Sequence, residues 1–235
     1  KCKSVKTVLC ITTDKVYKNH EWNWRYREID ELGGGYDPYS SSKGCAELVT
    51  SSYRRSFLQG QGIGLASVRA GNVIGGGDWA DDRLIPDILK SFENGSSVIV
   101  RNPQATRPWQ HVLEPLSGYL VLAQKLYQNP KEYAEGWNFG PNEQDVKPVD
   151  WILDKMIAKW PNSSWELDIS SSPHEAGFLK LDISKAKSKL GWNPLWSLSD
   201  TLEKIVHWHQ AWLNKEDMQT ICLKEIEEYT KDMNK

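Results

Sequence analysis

Tyr39 and Lys43 stand four residues apart just after Asp37-Pro38, in a stretch that reads as the opening of a helix. That spacing puts both side chains on one helical face. An ammonium beside a phenol favours the phenolate, and a phenol so tuned can take or give a proton near neutral pH. A surface Tyr and Lys that merely coincide would look the same, so the pair needs context. Upstream, an apolar β-branched run ends in Thr12-Thr13-Asp14-Lys15, which adds hydroxyls, a carboxylate and an amine. Downstream, a second such run ends in Arg69-Ala70-Gly71-Asn72. Ligands of parallel α/β sheets bind at the carboxyl ends of strands. Singly, Thr13 reads as a β-former and Asp14 as a turn former. As a set they point to proton transfer on a bound small molecule.

The elements that must position these groups alternate along the chain. Val5 to Thr12 reads as a buried parallel strand, and residues 18–36 as a long loop ending in Gly33-Gly34-Gly35. A helix is expected from Tyr39 to Gln59, with Ala46, Val49, Tyr53 and Phe57 at helical spacing. A second strand follows from Leu65 to Val73, then Gly75-Gly76-Gly77. Leu84–Glu93 and Glu114–Gln128 read as helices, Val98–Val100 and Trp137–Phe139 as short strands. From Pro148, the apolar residues Val149, Ile152, Leu153, Met156, Ile157 and Trp160 mark an amphipathic helix. Ser184 is expected to cap a short helix ending at Gly191, and Asp200-Thr201-Leu202-Glu203 to open another as a capping box. A last helix carries Met218, Ile221, Cys222, Ile226 and Tyr229. This order predicts an α/β fold with a parallel sheet and a mostly helical last third.

Composition narrows the function. At roughly 100–200 residues per domain, 235 residues make one large domain or two small ones. Charges of 29 Lys+Arg against 31 Asp+Glu argue against a nucleic-acid binder. The longest apolar run, Gly118 to Leu126, holds Gln124 and Lys125 and falls short of the roughly 18–20 residues a membrane helix needs. Nothing in Lys1-Cys2-Lys3-Ser4 resembles a signal peptide. Cysteines at 2, 10, 45 and 222 lack metal spacing, so a reduced, cytoplasmic setting is expected. His207 and His209, two apart on a helix, face different ways and make no metal pair. Of the 12 Trp, Trp151, Trp160, Trp208 and Trp212 fit helix packing, while Trp79 and Trp109 are candidates for lining a cleft. Both glycine triplets lack GxGxxG spacing and read as turns that bring backbone close to a ligand. His174 and Glu175 could touch a substrate or cap a turn.

The stretches TTDKVY (12–17), DPYSSSKGCAE (37–47), RAGNVIGGGDW (69–79), ATRPWQHVLEPLSGYL (105–120), WNFGPNE (137–143), HEAGFLKLD (174–182) and SKAKSKLGWNP (184–194) together span nearly the whole chain. They resemble the extended short-chain dehydrogenase/reductase family. Within it they are most similar to the nucleotide-sugar 4,6-dehydratases, in the subgroup acting on CDP-glucose. The resemblance implies a Rossmann-like parallel sheet lacking its N-terminal strands, with a smaller, mostly helical substrate lobe. Residues 1–75 would form the NAD domain, with 105–140 packing on it, and 76–104 with 141–235 the lobe.

The implied reaction uses NAD as an internal hydride carrier. Hydride leaves C4 of the sugar, water is eliminated across C5 and C6, and the hydride returns to C6. Tyr39 would be the base for the C4 hydroxyl, Lys43 would hold the nicotinamide ribose, and Thr13 would bond the C4 oxygen. Thr12 and Ala70 would also contact NAD. Asp14 would protonate the departing C6 hydroxyl, for which a carboxylic acid must be shielded from water or set near another charge. Lys15 stands where the dTDP-glucose enzymes have Glu, and would take the C5 proton as a neutral amine. Asn72, Arg83, Leu84, Arg101, Arg107 and Asn142 would bind the substrate, with Arg107 suited to the diphosphate by its planar fork. The family's dimers imply a homodimer, built here on the Tyr39 and Glu114 helices. The family's Gly-rich NAD turn is not found in the sequence, so a fragment is expected, weak or inactive alone. An epimerase or another dehydratase, and a silent sugar-nucleotide-binding or dimerisation piece, are the alternative readings.

Overall fold

Seven consecutive buried residues, Gly64–Ala70, form the middle strand of a three-stranded parallel sheet. The computed structural model describes residues 4–35, 37–168 and 178–235, so Cys2, His174 and Glu175 lie outside the described residues. In chain order the elements are β1 (Thr7–Ile11), α1 (Pro38–Tyr53), β2 (Gly64–Ala70), β3 (Asn72–Ile74), α2 (Leu84–Glu93), β4 (Val98–Val100), β5 (Thr106–Arg107), β6 (Trp109–His111) and α3 (Leu113–Gln128). Then come α4 (Pro130–Tyr133), β7 (Gly136–Phe139), β8 (Lys147–Pro148), α5 (Val149–Ile157), β9 (Trp165–Leu167), α6 (Leu198–Leu213) and α7 (Met218–Met233). The chain divides into two units, Lys1–Gly71 with Glu114–Gly140 and Phe178–Pro194, and the remainder. The class is α/β, as the alternation predicts.

In the first unit the strand order is β1-β2-β7, all parallel. Side chains alternate across β2. Ala66 and Val68 pack with Tyr119, Leu122 and Leu126 of α3 and with Trp137 and Phe139 of β7. Ser67 and Arg69 point the other way and bond Glu47 of α1. So α1 and α3 cover opposite faces of the sheet, and the expected pairing of these two helices in one dimer bundle does not hold. Asp37 caps α1, its carboxylate accepting from the Ser40 N–H at 2.9 Å, with Pro38 in the first turn. After Tyr53 the helix loosens through Arg54–Leu58 and Gln59–Gln61 and ends where Gly62 adopts φ 68°.

The second unit holds three two-stranded pairs, β3 with β6 and β4 with β9 parallel, and β5 with β8 antiparallel. Its core is built by Ile88, Ile152, Leu153, Met156, Leu202 and Ile205 of α2, α5 and α6. It is no smaller than the first unit. The unit boundaries also differ from the expected ones. Residues 105–113 join the second unit because β6 pairs with β3, and 178–194 return to the first because Ile183, Ala186, Leu190 and Trp192 cover its sheet. The expected strand Leu65–Val73 breaks at Gly71, since the residues after it pair with β6 instead. The box opening α6 sits earlier than expected, with Ser197 as cap and Asp200 as its reciprocal partner. The helical turn ending at Gly191 has no side-chain cap, so Ser184 does not cap it; the Ser184 N–H donates to Asp182 Oδ1 at 2.8 Å instead. Among the described residues no helix is long and apolar enough to cross a membrane.

Candidate active site

β1 runs through Thr12 into a short turn, Asp14–Val16, whose cap is Thr13. The Thr13 hydroxyl donates to Asp14 Oδ1 at 2.9 Å and accepts from the Lys15 N–H at 3.4 Å. Asp14 is 3% exposed. The Val16 carbonyl accepts from the N–H groups of Gly33 and Gly34. Gly34 has φ +64°, and a Cβ there would lie 2.8 Å from the Ser40 carbonyl and Ser41 Cα. The first glycine triplet therefore lets a loop lie against α1. The second does likewise, because a Cβ on Gly76 would sit 2.2 Å from the Trp208 ring.

Tyr39 lies near the N-terminus of α1, half exposed. The Lys43 and Lys15 ammonium groups each stand 5.8 Å from its ring centroid. Tyr39, Lys43, Thr13, Asp14 and Lys15 thus gather at the carboxyl end of β1, as the sequence predicts. The two hydrogen bonds from Ser40 to the Asp37 carboxyl, helped by the Lys15 charge, hold that carboxyl below its ordinary range.

Behind this group lies a buried polar network that sequence reasoning missed. Glu47 Oε1 accepts from the Thr12 hydroxyl at 2.7 Å and Arg69 Nε at 2.8 Å. Glu47 Oε2 accepts from the Ser67 hydroxyl at 2.6 Å and Arg69 Nη2 at 3.0 Å. Arg69 Nη1 donates to the Tyr17 hydroxyl at 2.7 Å, which donates to Asn138 Oδ1 at 2.7 Å. Burial pushes the Tyr17 phenol up despite the Arg69 charge. It also raises the Glu28 carboxyl, which accepts from the Asn138 N–H. Arg69 is therefore an internal ligand of Glu47, not a group offered at the strand end. The Thr12 hydroxyl is turned inward too. The one signal the sequence carried was the charge itself, since an Arg in a run of buried strand residues demands a partner.

The expected substrate residues all lie in the second unit. Asn72 opens β3, opposite Trp109. Arg83 precedes α2, exposed, and Leu84 packs against the unit's apolar core. Arg101 is exposed just after β4. Asn142 caps the turn Glu143–Asp145. Arg107 sits directly opposite Lys147 across the β5–β8 pair. Lys147, whose ammonium stands 5.7 Å from the Trp151 ring, is a residue sequence reasoning passed over. Trp109, 4% exposed, belongs to the core rather than to a cleft wall. Trp79 is exposed, but its ring stands 4.5 Å from Trp212 and 5.6 Å from His209 on α6. His209 bonds Glu93 at 2.6 Å, and among the described residues no three His, Cys, Asp or Glu gather as a metal would need.

The chain is similar to several known proteins. The NAD dependent epimerase/dehydratase family matches residues 1–136. The chain is 59% identical over 232 residues to the CDP-glucose 4,6-dehydratase of Salmonella typhimurium, covering 96% of this chain and 64% of that protein. It is 22% identical over 218 residues to UDP-glucuronic acid decarboxylase 1 of Xenopus tropicalis, covering 87% and 48%. Among solved structures, dTDP-glucose 4,6-dehydratase from Bacillus anthracis in complex with NAD superposes with a TM-score of 0.70 at 21% identity, covering 86% and 61%. The UDP-glucose 4-epimerase of Thermotoga maritima with UDP-glucose gives 0.72 at 19%, covering 89% and 65%. At these identities the two structures show a shared fold. The chain spans less than two thirds of the length of each of these relatives. With its dehydratase-like turn, its Tyr-Lys pair and more than half of its length matched, the chain belongs to the NAD dependent epimerase/dehydratase family.

Proposed function

We propose that this chain carries the catalytic and sugar-binding residues of a CDP-glucose 4,6-dehydratase. The observation that carries this reading is the Thr13-Asp14-Lys15 turn standing beside Tyr39 and Lys43, with both ammonium groups 5.8 Å from the Tyr39 ring. The donor set suits the nicotinamide half of NAD. A phenol and an ammonium one helical turn apart can bond a ribose, and Ala70 at the end of β2 carries only a methyl group. With Thr12 turned inward, its contact to NAD is assigned to the main chain. NAD, when bound there, would supply the acceptor and later donor of the hydride exchanged with C4 and C6 of the sugar.

The chain's own groups do the rest. Tyr39 takes the C4 hydroxyl proton, and Thr13 bonds the C4 oxygen. Lys43 bonds the ribose. Asp14, 3% exposed and accepting the Thr13 hydroxyl's hydrogen bond at 2.9 Å, protonates the C6 hydroxyl as it departs. Lys15 is assigned to removal of the C5 proton. An epimerase needs no acid for a C6 leaving group, so Asp14 weighs against that reading. Arg107 and Lys147 are assigned to the diphosphate, and Asn72, Arg83, Leu84, Arg101 and Asn142 to the sugar and nucleoside. Leu84 contributes through its main chain, its side chain being packed inward. A homodimer would form through the exposed stripe of Val49 and Tyr53 on α1 and Phe57 in the turn after it. A polar sugar-nucleotide substrate fits a cytoplasmic setting.

The test is incubation with CDP-glucose and NAD. The expected product has lost one water by mass and shows the enone absorbance of a 4-keto sugar in base. A keto product that keeps its 6-hydroxyl sinks the dehydratase reading. Binding of both ligands without any keto product leaves a silent sugar-nucleotide-binding piece.

A further inference from the structure

Tyr17 closes the turn that carries Asp14 and Lys15, its N–H directed at the Asp14 carbonyl. Its side chain is 1% exposed and ends on Arg69 and Asn138. Arg69 in turn grips Glu47 with two nitrogens. Glu47 lies on α1 eight residues after Tyr39, which is about two helical turns. Arg69 therefore spans two elements, the helix that presents Tyr39 and Lys43 and the turn that presents Asp14 and Lys15. Asn138 ties the far side of the Tyr17 hydroxyl to β7, and its amide donates to the Tyr26 and Asp182 carbonyls. On its near side the turn rests on Gly33 and Gly34, which lie against the start of α1.

We propose that Tyr17 is a positioning residue for the elimination half of the reaction. Its hydroxyl, clamped between Arg69 and Asn138, sets the Asp14–Lys15 turn at its working distance from the Tyr39–Lys43 helix. This rests on the dehydratase reading above. C4 oxidation leans on Tyr39 and Lys43 on α1, whose seat on Glu47 and Arg69 does not need the Tyr17 hydroxyl, and takes only the Thr13 hydroxyl from the turn. Loss of water uses Asp14 and Lys15, whose turn does need it. The two steps should therefore respond differently to one oxygen atom.

The experiment compares Tyr17→Phe with Tyr26→Phe in the NAD-loaded enzyme. Tyr26 is equally buried and its ring stacks on Tyr17 at 5.2 Å, but its hydroxyl serves Asn19 and His20 instead of Arg69. In a single turnover with CDP-glucose, Tyr17→Phe should slow water loss by about 10–100-fold, the scale of a misplacement of order 1 Å. Bound reduced nicotinamide should then accumulate, seen by its near-ultraviolet absorbance, while KM stays close to wild type. Tyr26→Phe should show no such accumulation. Without any ligand, amide hydrogen exchange in the peptide covering residues 13–17 should quicken in Tyr17→Phe and not in Tyr26→Phe. If Tyr17→Phe fails to fold, Asn138→Ala decides by the same readouts, because it removes the acceptor of the Tyr17 hydroxyl and leaves the Glu47–Arg69 pair intact. Oxidation and elimination slowed equally, or unchanged exchange in the turn, would overturn the proposal. If wild type makes no 6-deoxy-4-keto product, the dehydratase reading fails, and the exchange comparison alone still decides whether Tyr17 holds the turn.

Discussion

Replacing Glu47 by Ala would strand a guanidinium inside the first unit. Both side chains of the Glu47–Arg69 pair are 4% exposed, and the carboxylate accepts four hydrogen bonds of 2.6–3.0 Å. Without it, Arg69 keeps the Tyr17 hydroxyl and a long contact to the Glu28 carbonyl at 3.4 Å. Removing one partner of a buried pair costs about 3–5 kcal/mol. The Ser67 hydroxyl loses its acceptor as well, about 1 kcal/mol more. Thr12 can fall back on the Val68 carbonyl at 3.2 Å. The expected loss, about 4–6 kcal/mol, is a large share of the roughly 5–15 kcal/mol that holds a domain. Urea unfolding followed by tryptophan fluorescence reads it as a lower midpoint at unchanged slope. The double variant Glu47→Ala/Arg69→Met should recover at least ~2 kcal/mol, because the uncompensated charge is gone. Acid adds a second reading. Burial opposes the Glu47 charge, but Arg69, Ser67 and Thr12 outweigh it and hold the carboxyl below its ordinary value of 4.5. The contribution is complete above that value and is lost as pH falls through the lower, folded one, since the unfolded chain binds the proton first. Glu47→Ala should flatten this acid limb. A single-variant loss under about 1 kcal/mol, or a double variant less stable than the single, would refute the reasoning.

Five further outcomes are expected. Burial, with help from the Lys204 charge, pushes His111 down to about 4, so the unfolded chain binds its proton first between pH 6.5 and 4. Stability should fall over that interval as pH drops, by at most about 3 kcal/mol, and His111→Gln should flatten the slope of urea midpoints against pH. Gly76→Ala forces a methyl into the buried Trp208 ring and should lower stability by about 1–3 kcal/mol in thermal melts. Gly60→Ala, with open space around it, should be neutral or gain about 0.4–1 kcal/mol. Lys15→Met should abolish exchange of the sugar's C5 proton with solvent, and undiminished exchange by NMR would remove Lys15 from its role as base. Val49→Glu, on the exposed face of α1, should convert a dimer to a monomer in sedimentation, and an unchanged sedimentation coefficient would exclude that face.

The local chemistry is legible in the order of the residues. Tyr39 and Lys43 are neighbours because helical spacing makes them so, and Thr13-Asp14-Lys15 falls at a strand end because an apolar run stops there. The capped start of α1 and the apolar stripe of α5 follow from short-range rules of the same kind. What sequence could not supply were partners distant along the chain. Arg69 looks like a ligand-facing group at a strand end until the alternation of β2, set by its pairing with β1 and β7, turns it onto Glu47, 22 residues away. Tyr17 meets Asn138 across 121 residues, and no local pattern announces that contact. Each glycine triplet gives clearance to a neighbour, the α1 backbone in one case and the Trp208 ring in the other. The break at Gly71 is hidden because β2 runs on into β3 with only one residue between them, and only their different strand partners separate them. Sequence by itself determined which groups could do the chemistry, because that depends on residue type and short-range spacing. Tertiary structure decided which groups are spent inside the fold, because burial makes polar side chains seek partners wherever the chain happens to bring them.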